Sequence, residues 1–293
     1  MRRSTTFAGT ERPHSGAGFT LSTRSRLLWA VLLGELAVAT MLLSRFPSPP
    51  PSAAPPNAPV VSTAPRPDPV TSLVLPDGRT ARLIALGGAQ SSALLQRLAA
   101  ELPAAAAAVT AFWGPDWRPD IEIAVAGSDQ QFSVLAGGAA DIAATTTAER
   151  IMFAPGAAGM SPAALRIVLR HELFHYAARS ATAADAPRWL TEGVADYVGR
   201  PHTAVPGAAQ AEALAQLPTD SDLDTPGAAR SLAYDRAWWF SRYVADAYGA
   251  PTLRELYLRA CGSGHPDVPT AVREVLGADL DAVVAGWRRW LTG

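Results

Sequence analysis

The chain has 293 residues, a formal net charge of −1 at pH 7 and 48% hydrophobic residues, which suits one sizeable domain or two small ones with a tail. The near-zero charge gives no global case for nucleic-acid binding. Because all 25 basic residues are arginine, Schiff-base catalysis, a Ser-Lys dyad and a Walker P-loop are also excluded. With one cysteine, Cys261, the chain can form neither an intrachain disulfide nor a Cys/His zinc finger, and we interpret this residue as a small, partly buried apolar side chain.

The N-terminal part of the chain predicts a membrane anchor. Residues 1–26 are rich in Ser, Thr, Gly and Arg without apolar periodicity, so we predict a disordered basic tail. Residues 27–44 form an apolar run, interrupted by Glu35, that reaches about 27 Å as a helix, just short of a hydrocarbon core of about 30 Å. The preceding arginines favour a cytoplasmic N-terminus and an extracytoplasmic remainder. We therefore predict an uncleaved, single-pass signal anchor in the cell membrane. A cleaved signal peptide, which would give a secreted protein, and a buried core helix are the alternatives.

A proline-dense segment, residues 45–69, predicts an extended polyproline linker, so the folded domain is expected at residues 70–293. The first part of this domain contains short apolar runs bounded by turn residues, which predict strands. An alanine- and leucine-rich helix lies between them, and Pro103 is expected to kink or end it. The predicted strands are 71–75, 79–86, 120–126, 140–147 and 149–154, and the predicted helix is 91–112.

The next helix is predicted at residues 161–179. Ser161 and Pro162 are typical of an N-cap followed by the first helical position. Apolar residues then recur at three- and four-residue spacing, which is the pattern of an amphipathic helix.

This helix carries the motif His-Glu-Leu-Phe-His at residues 171–175. Residues four apart lie on the same face of a helix, so His171 and His175 can direct two imidazoles at one metal ion. Glu172 lies beside that face, where it can reach a water molecule rather than the metal. A catalytic zinc takes three protein ligands and leaves a fourth position for water, so the pair is one ligand short.

The third ligand is expected from the stretch Trp-Leu-Thr-Glu-Gly-Val-Ala-Asp-Tyr at residues 189–197, which predicts a second helix starting near Arg188. Glu192 is the natural candidate. Asp196 shares its helix face and is expected to accept a hydrogen bond from the far nitrogen of His171, which fixes the tautomer of that ring. The remaining residues predict a helical bundle, with helices at 208–217, 231–248, 251–260 and 267–292, and with Trp287 and Trp290 as buried anchors.

The two motifs together resemble the gluzincin metallopeptidases, the thermolysin-like and aminopeptidase-like clan of the peptidase MA family. The motif match covers residues 161–200, and a weaker likeness in pattern extends over 70–293. The resemblance implies one zinc ion held by two imidazoles and a carboxylate, a general base within the first motif, and a carboxylate that supports a ligand. These roles fall on His171, His175 and Glu192 (metal), Glu172 (base) and Asp196 (support). The chain lacks the Gly-Ala-Met-Glu-Asn type motif of the aminopeptidase branch, so an aminopeptidase of that kind is not supported.

The resemblance also implies an α+β fold, in which a small mixed β-sheet lobe with an edge strand precedes a mostly α-helical lobe and the zinc site lies between them. It places the substrate-binding edge strand at Ile151, Met152 and Phe153, with an ordinary core strand as the alternative. It makes Tyr234 the candidate for stabilising an oxyanion. His202 and His265 are alternatives for that role, and the sequence favours a core or surface tyrosine as the other interpretation of Tyr234.

The expected function is that of a membrane-anchored, extracytoplasmic zinc metallopeptidase. Its expected partners are a peptide or protein substrate and, through the N-terminal helix, the membrane, with no nucleic acid. Two alternatives remain open, namely an inactive metal-binding interaction module and a metalloamidase that acts on cell-wall amides. The sequence carries no indication of the oligomeric state.

Overall fold

The computed structural model describes residues 70–137 and 142–293. In these residues a small β-sheet comes first and helices make up most of the remainder, which confirms the predicted α+β class. The predicted tail, anchor and linker, at residues 1–26, 27–44 and 45–69, lie outside the described residues. Within the described ranges, no helix combines the length and apolar character needed to span a membrane.

The sheet consists of β1 (Val70–Val74), β2 (Thr80–Ala85), β3 (Asp120–Val125), β4 (Ala144–Thr146) and β5 (Ile151–Phe153). Its five strands lie in the order β1-β2-β3-β5-β4. β3 runs parallel to both β2 and β5, whereas β1 is antiparallel to β2 and β4 is antiparallel to β5. In this register Ile151 lies between Ile123 on one side and Thr146 on the other.

The prediction that residues 151–153 form the edge strand is wrong. β5 lies between β3 and β4, and Ile151, Met152 and Phe153 are each 0% exposed. Ile151 and Phe153 belong to the main core, while Met152 belongs to a second apolar cluster with Phe132. Successive side chains of a strand point to opposite faces, so both faces of β5 are covered, as is typical of an interior strand. Among the described strands, the edge next to β5 is β4.

Two helices connect these strands, α1 (Gly88–Trp113) and α2 (Asp129–Ala136). α1 continues through Pro103, so this proline does not mark a boundary. An internal proline costs roughly 3 kcal/mol, but buried residues on both sides of it pack into the core and hold the helix together. The sequence did not predict α2, whose N-terminus is capped by the Ser128 side chain and which buries only Phe132.

The motif helices are α3 (Pro162–Ala178) and α4 (Arg188–Gly199), which agrees with the predicted positions. The Ser161 hydroxyl accepts a hydrogen bond from the backbone N–H of Ala164, which is the predicted N-cap. Pro187, the residue before α4, makes no side-chain hydrogen bond to the start of this helix. Instead, the Asp220 carboxylate accepts hydrogen bonds from the backbone N–H groups of Arg188 and Trp189. A segment more than twenty residues downstream therefore fixes the start of the second motif helix.

The remaining helices are α5 (Ala208–Leu214), α6 (Asp220–Asp224), α7 (Ala228–Tyr248), α8 (Ala250–Cys261), α9 (Val268–Leu276) and α10 (Leu280–Thr292). α9 and α10 divide the segment predicted at 267–292, because Gly277 takes a left-handed conformation with φ of 69° that ends α9. α7 is the central helix of this part. Its Phe240 ring meets Trp189 of α4 and Trp287 of α10, each with a centroid distance of 5.4 Å. These edge-on contacts join α4 to the C-terminal bundle.

Candidate metal centre

The structure brings together the side chains of His171, His175 and Glu192, the first two from α3 and the third from α4. The Nε2 atoms of the two histidines are 3.1 Å apart. Glu192 places Oε2 3.1 Å from Nε2 of His171 and Oε1 3.6 Å from Nε2 of His175. The three side chains retain between 14% and 21% exposure, so the group is reachable from solvent.

The donor set fits a zinc ion. His171 Nδ1 lies 2.9 Å from Oδ1 of Asp196, so Nδ1 donates to that carboxylate and Nε2 is the ring atom left for a metal. Nε2 lies beside a carboxylate and a second ring nitrogen, an arrangement that a cation bound in place of the Nε2 proton would stabilise. Ligand atoms bonded to a tetrahedral zinc at about 2.0–2.1 Å lie about 3.3 Å apart, close to the separations seen here. Two imidazoles and a carboxylate also match the ligand set of catalytic zinc sites, which keep a fourth position open.

The electrostatics of the three groups are tightly linked. Burial disfavours the charged form of His171, but hydrogen bonds with Asp196 and Glu192 outweigh it and raise the pKa of the ring well above its usual range. Burial likewise opposes ionisation of Glu192, yet the charge of His175 and the hydrogen bonds with both histidines hold its pKa well below the usual value. The site therefore favours an ionised carboxylate, and a bound cation competes with the proton for Nε2 of His171.

Asp196 is itself held by a buried chain of charges. It is 4% exposed, and its Oδ2 lies 2.6 Å from Nη2 of Arg200. Nη1 of Arg200 donates to Asp235 on α7 at 2.8 Å, and the guanidinium lies 4.9 Å from the centroid of the Trp238 ring. Burial opposes the ionised form of Asp196, but the Arg200 charge and the His171 hydrogen bond lower its pKa. The carboxylate that orients His171 is thus ionised and fixed on both sides.

Glu172 follows His171 on α3, and its side chain is buried, with 8% exposure. The Thr146 hydroxyl donates to Oε2 of Glu172 at 2.7 Å and lies 3.0 Å from the backbone carbonyl oxygen of the same residue. Thr146 was not among the predicted site residues. It lies 26 positions before Glu172, in a run of threonines without a catalytic motif, so only the packing of β4 against α3 reveals the contact.

Tyr234 of α7 lies against the same group. Burial, the charges of Glu192 and Asp196, and a hydrogen bond to Glu192 together raise the pKa of its phenol well above the usual range. The hydroxyl therefore stays protonated and can donate. Of the two alternative residues, His202 contacts Arg242, and Nδ1 of His265 lies 2.8 Å from the Pro266 carbonyl oxygen.

Close packing between α4 and α7 depends on Gly193, the residue after Glu192. A Cβ built at this position would lie 2.5 Å from the Ala237 carbonyl oxygen and 2.8 Å from Oγ of Ser241. Only glycine allows the two helices this approach, which sets Glu192 close to Tyr234.

Comparison with known proteins gives limited likenesses. No family model matches the chain, and no curated protein does. Among solved structures, Legionella pneumophila aminopeptidase A in complex with aspartic acid has a TM-score of 0.46 at 13% identity, covering 75% of this chain and 27% of that one. An M1 zinc metallopeptidase from Deinococcus radiodurans has a TM-score of 0.44 at 18% identity, covering 78% of this chain and 52% of that one. The chain thus spans about a quarter to a half of the length of these proteins, and likenesses of this size assign no activity to it.

Proposed function

We propose that the chain is a zinc-dependent metallopeptidase that hydrolyses peptide bonds with Glu172 as the general base. One observation carries the proposal: three metal-ligating side chains converge, and the residue that follows the first of them on α3, Glu172, is a buried carboxylic acid. A purely structural metal site has no need of that additional acid. A hydrolytic site does need it, because a base must accept the proton of the attacking water.

The proposed roles match the chemistry of each group. His171, His175 and Glu192 would hold the zinc, which when bound supplies Lewis-acid chemistry that polarises a carbonyl group and acidifies water. Glu172 accepts a proton from the attacking water and later delivers it to the leaving nitrogen. Tyr234 supplies a protonated phenol that can donate to the oxyanion forming on the scissile carbonyl.

The substrate is proposed to lie along β4, in place of the sequence-based choice of residues 151–153. An edge strand offers backbone N–H and C=O groups to an extended peptide. β4 is the edge next to β5 among the described strands, and Thr146 on this strand contacts the proposed base. A peptide paired with β4 therefore runs past Glu172.

The setting proposed for this activity is the extracytoplasmic face of the cell membrane, with residues 27–44 as the anchor and 45–69 as the spacer. The support is the sequence pattern alone. Protease treatment of intact cells that make the full-length protein provides the test. Removal of the domain without lysis supports this orientation, and full protection contradicts it.

The test of the activity uses full-length protein in detergent, with metal analysis and cleavage of an unstructured peptide library. The Glu172→Gln variant is expected to keep its zinc and to lose about 10²–10⁴-fold in kcat, since it lacks only the base. The His175→Ala variant is expected to lose zinc, because only two protein ligands remain. Glu212→Gln, which changes an exposed acid on α5 away from β4 and the two motif helices, is the matched control.

Three outcomes would contradict the proposal. Full activity of Glu172→Gln would show that the assigned base is wrong. Bound zinc without cleavage of any peptide would favour a metal-binding interaction module. Cleavage of peptidoglycan fragments, but not of peptides, would favour a metalloamidase.

A further inference from the structure

We infer that Thr146 is a positioning residue that holds the carboxylate of Glu172 for proton transfer, an inference that rests on the proposed function. Its hydroxyl donates to Oε2 of Glu172 at 2.7 Å. A donor to one carboxylate oxygen fixes the rotation of the whole group, which directs the other oxygen, Oε1, to the proton. Thr146 does not touch the reacting atoms itself.

The hydroxyl can fix the carboxylate because Thr146 is itself held firmly. Its backbone is in register with Ile151 of the interior strand β5. The turn that follows is closed by the Thr147 hydroxyl, which accepts hydrogen bonds from the backbone N–H groups of Glu149 and Arg150. Nη1 of Arg179, just beyond the end of α3, donates to the Thr147 carbonyl oxygen at 2.5 Å. A β-branched residue is also stiff about its first side-chain torsion, so strand, turn and helix together determine where the hydroxyl lies.

A precise carboxylate position matters at such a site. Catalytic groups must be held within about 0.5 Å of the productive geometry, and a displaced base loses rate even when every ligand is in place. Glu172 is buried but is not a metal ligand in the proposed arrangement, so zinc would not hold it. Thr146 supplies the missing restraint, and it does so from the strand proposed to pair with the substrate. Binding of a peptide along β4 would therefore also steady the base.

The inference is tested with Thr146→Val, which keeps the branched shape and removes the donor, and with Thr146→Ser, which restores the donor. Thr252→Val is the matched control, since its hydroxyl donates to the Tyr248 carbonyl oxygen at 2.8 Å within the C-terminal bundle. Zinc content, KM and kcat are measured on the full-length protein, and crystal structures show the Glu172 side chain.

For Thr146→Val we expect unchanged zinc content and KM, a kcat lower by about 10-fold to 100-fold, and a Glu172 carboxylate that is displaced or has several orientations. Thr146→Ser should recover most of kcat, and Thr252→Val should match the unmodified protein.

A Thr146→Val protein with kcat within twofold of the unmodified protein, while Glu172→Gln is inactive, overturns this inference and leaves the proposed function intact. Loss of zinc together with activity also overturns it, because the residue would then be structural. If the unmodified protein cleaves no peptide, the proposed function fails. In that case the crystal structures alone test whether Thr146 positions Glu172. A Glu172 side chain that keeps its position in Thr146→Val contradicts the inference.

Discussion

Replacement of Gly193 by alanine should be favourable for helix propensity but unfavourable for packing. The structure predicts that the packing cost is the larger of the two effects. In an isolated helix this change is favourable by up to about 1 kcal/mol. In the folded protein the new methyl group would lie 2.5 Å from the Ala237 carbonyl oxygen and 2.7 Å from its carbonyl carbon. These are backbone atoms of α7, so no side-chain rotation relieves the overlap. The helices must separate by about 0.5–0.9 Å to bring the 2.5 Å approach into the 3.0–3.4 Å range.

Overpacking of this kind costs about 1–3 kcal/mol, so we expect Gly193→Ala to lower the free energy of unfolding by that amount and the melting temperature by roughly 3–10 °C. The shift also moves the neighbouring Glu192, and zinc sites tolerate changes of only about 0.2 Å in ligand distance. Zinc affinity should therefore fall at least about tenfold.

Urea unfolding and competition with a chelator measure the two effects. Gly159→Ala is the control, because a Cβ there meets no atom within 4 Å. A Gly193→Ala protein as stable as the unmodified one, or more stable as propensity alone predicts, would refute the reasoning.

Three further predictions follow from other parts of the molecule. Asp196→Asn should weaken zinc binding by about 10–100-fold while the protein stays folded. Chelator competition measures the affinity, and Asp281→Asn, at an exposed position, is the control. A zinc affinity equal to that of the unmodified protein would mean that the Asp196 carboxylate does not orient His171. Trp287→Ala should reduce the free energy of unfolding in urea by about 3–5 kcal/mol, because this side chain is 0% exposed, and a loss below about 1 kcal/mol would contradict the packing described. Burial raises the pKa of the Cys261 thiol to about 12, so iodoacetamide at pH 8.5 should modify it only in denaturant, and rapid labelling of the native protein would contradict this.

The metal-binding helices were predictable because their signals are local. Ser161 and Pro162 predict the start of α3. The four-residue spacing of His171 and His175 places both on one face of that helix. Glu192 was predictable as the third ligand because a two-histidine site needs another donor and the next helix offers one. The structure brings all three side chains together.

The sheet was less predictable, because strand order depends on contacts between segments distant in the sequence. The apolar run at residues 151–153 is compatible with an edge or an interior position, and only the pairing of β5 with both β3 and β4 decides between them. α2 was missed because its eight residues bury one side chain and give too little periodicity.

The contacts that support the site could not be predicted from the sequence either. Thr146 reaches Glu172 across 26 positions, and Arg200 reaches Asp235 across 35 positions. Neither pair forms a recognisable motif. Each depends on how β4 and α7 are placed against α3 and α4, which is a property of the whole fold.

The packing of α3 against α4 has a consequence for metal exchange. Leu169, Leu173 and Val194 are fully buried, so hydrocarbon contacts rather than coordination bonds support the two helices. Chelation should accordingly yield a folded apoprotein, unlike a zinc finger, whose fold requires its ion. Such a scaffold can be reloaded with Co²⁺, whose visible absorption bands would report the coordination number directly.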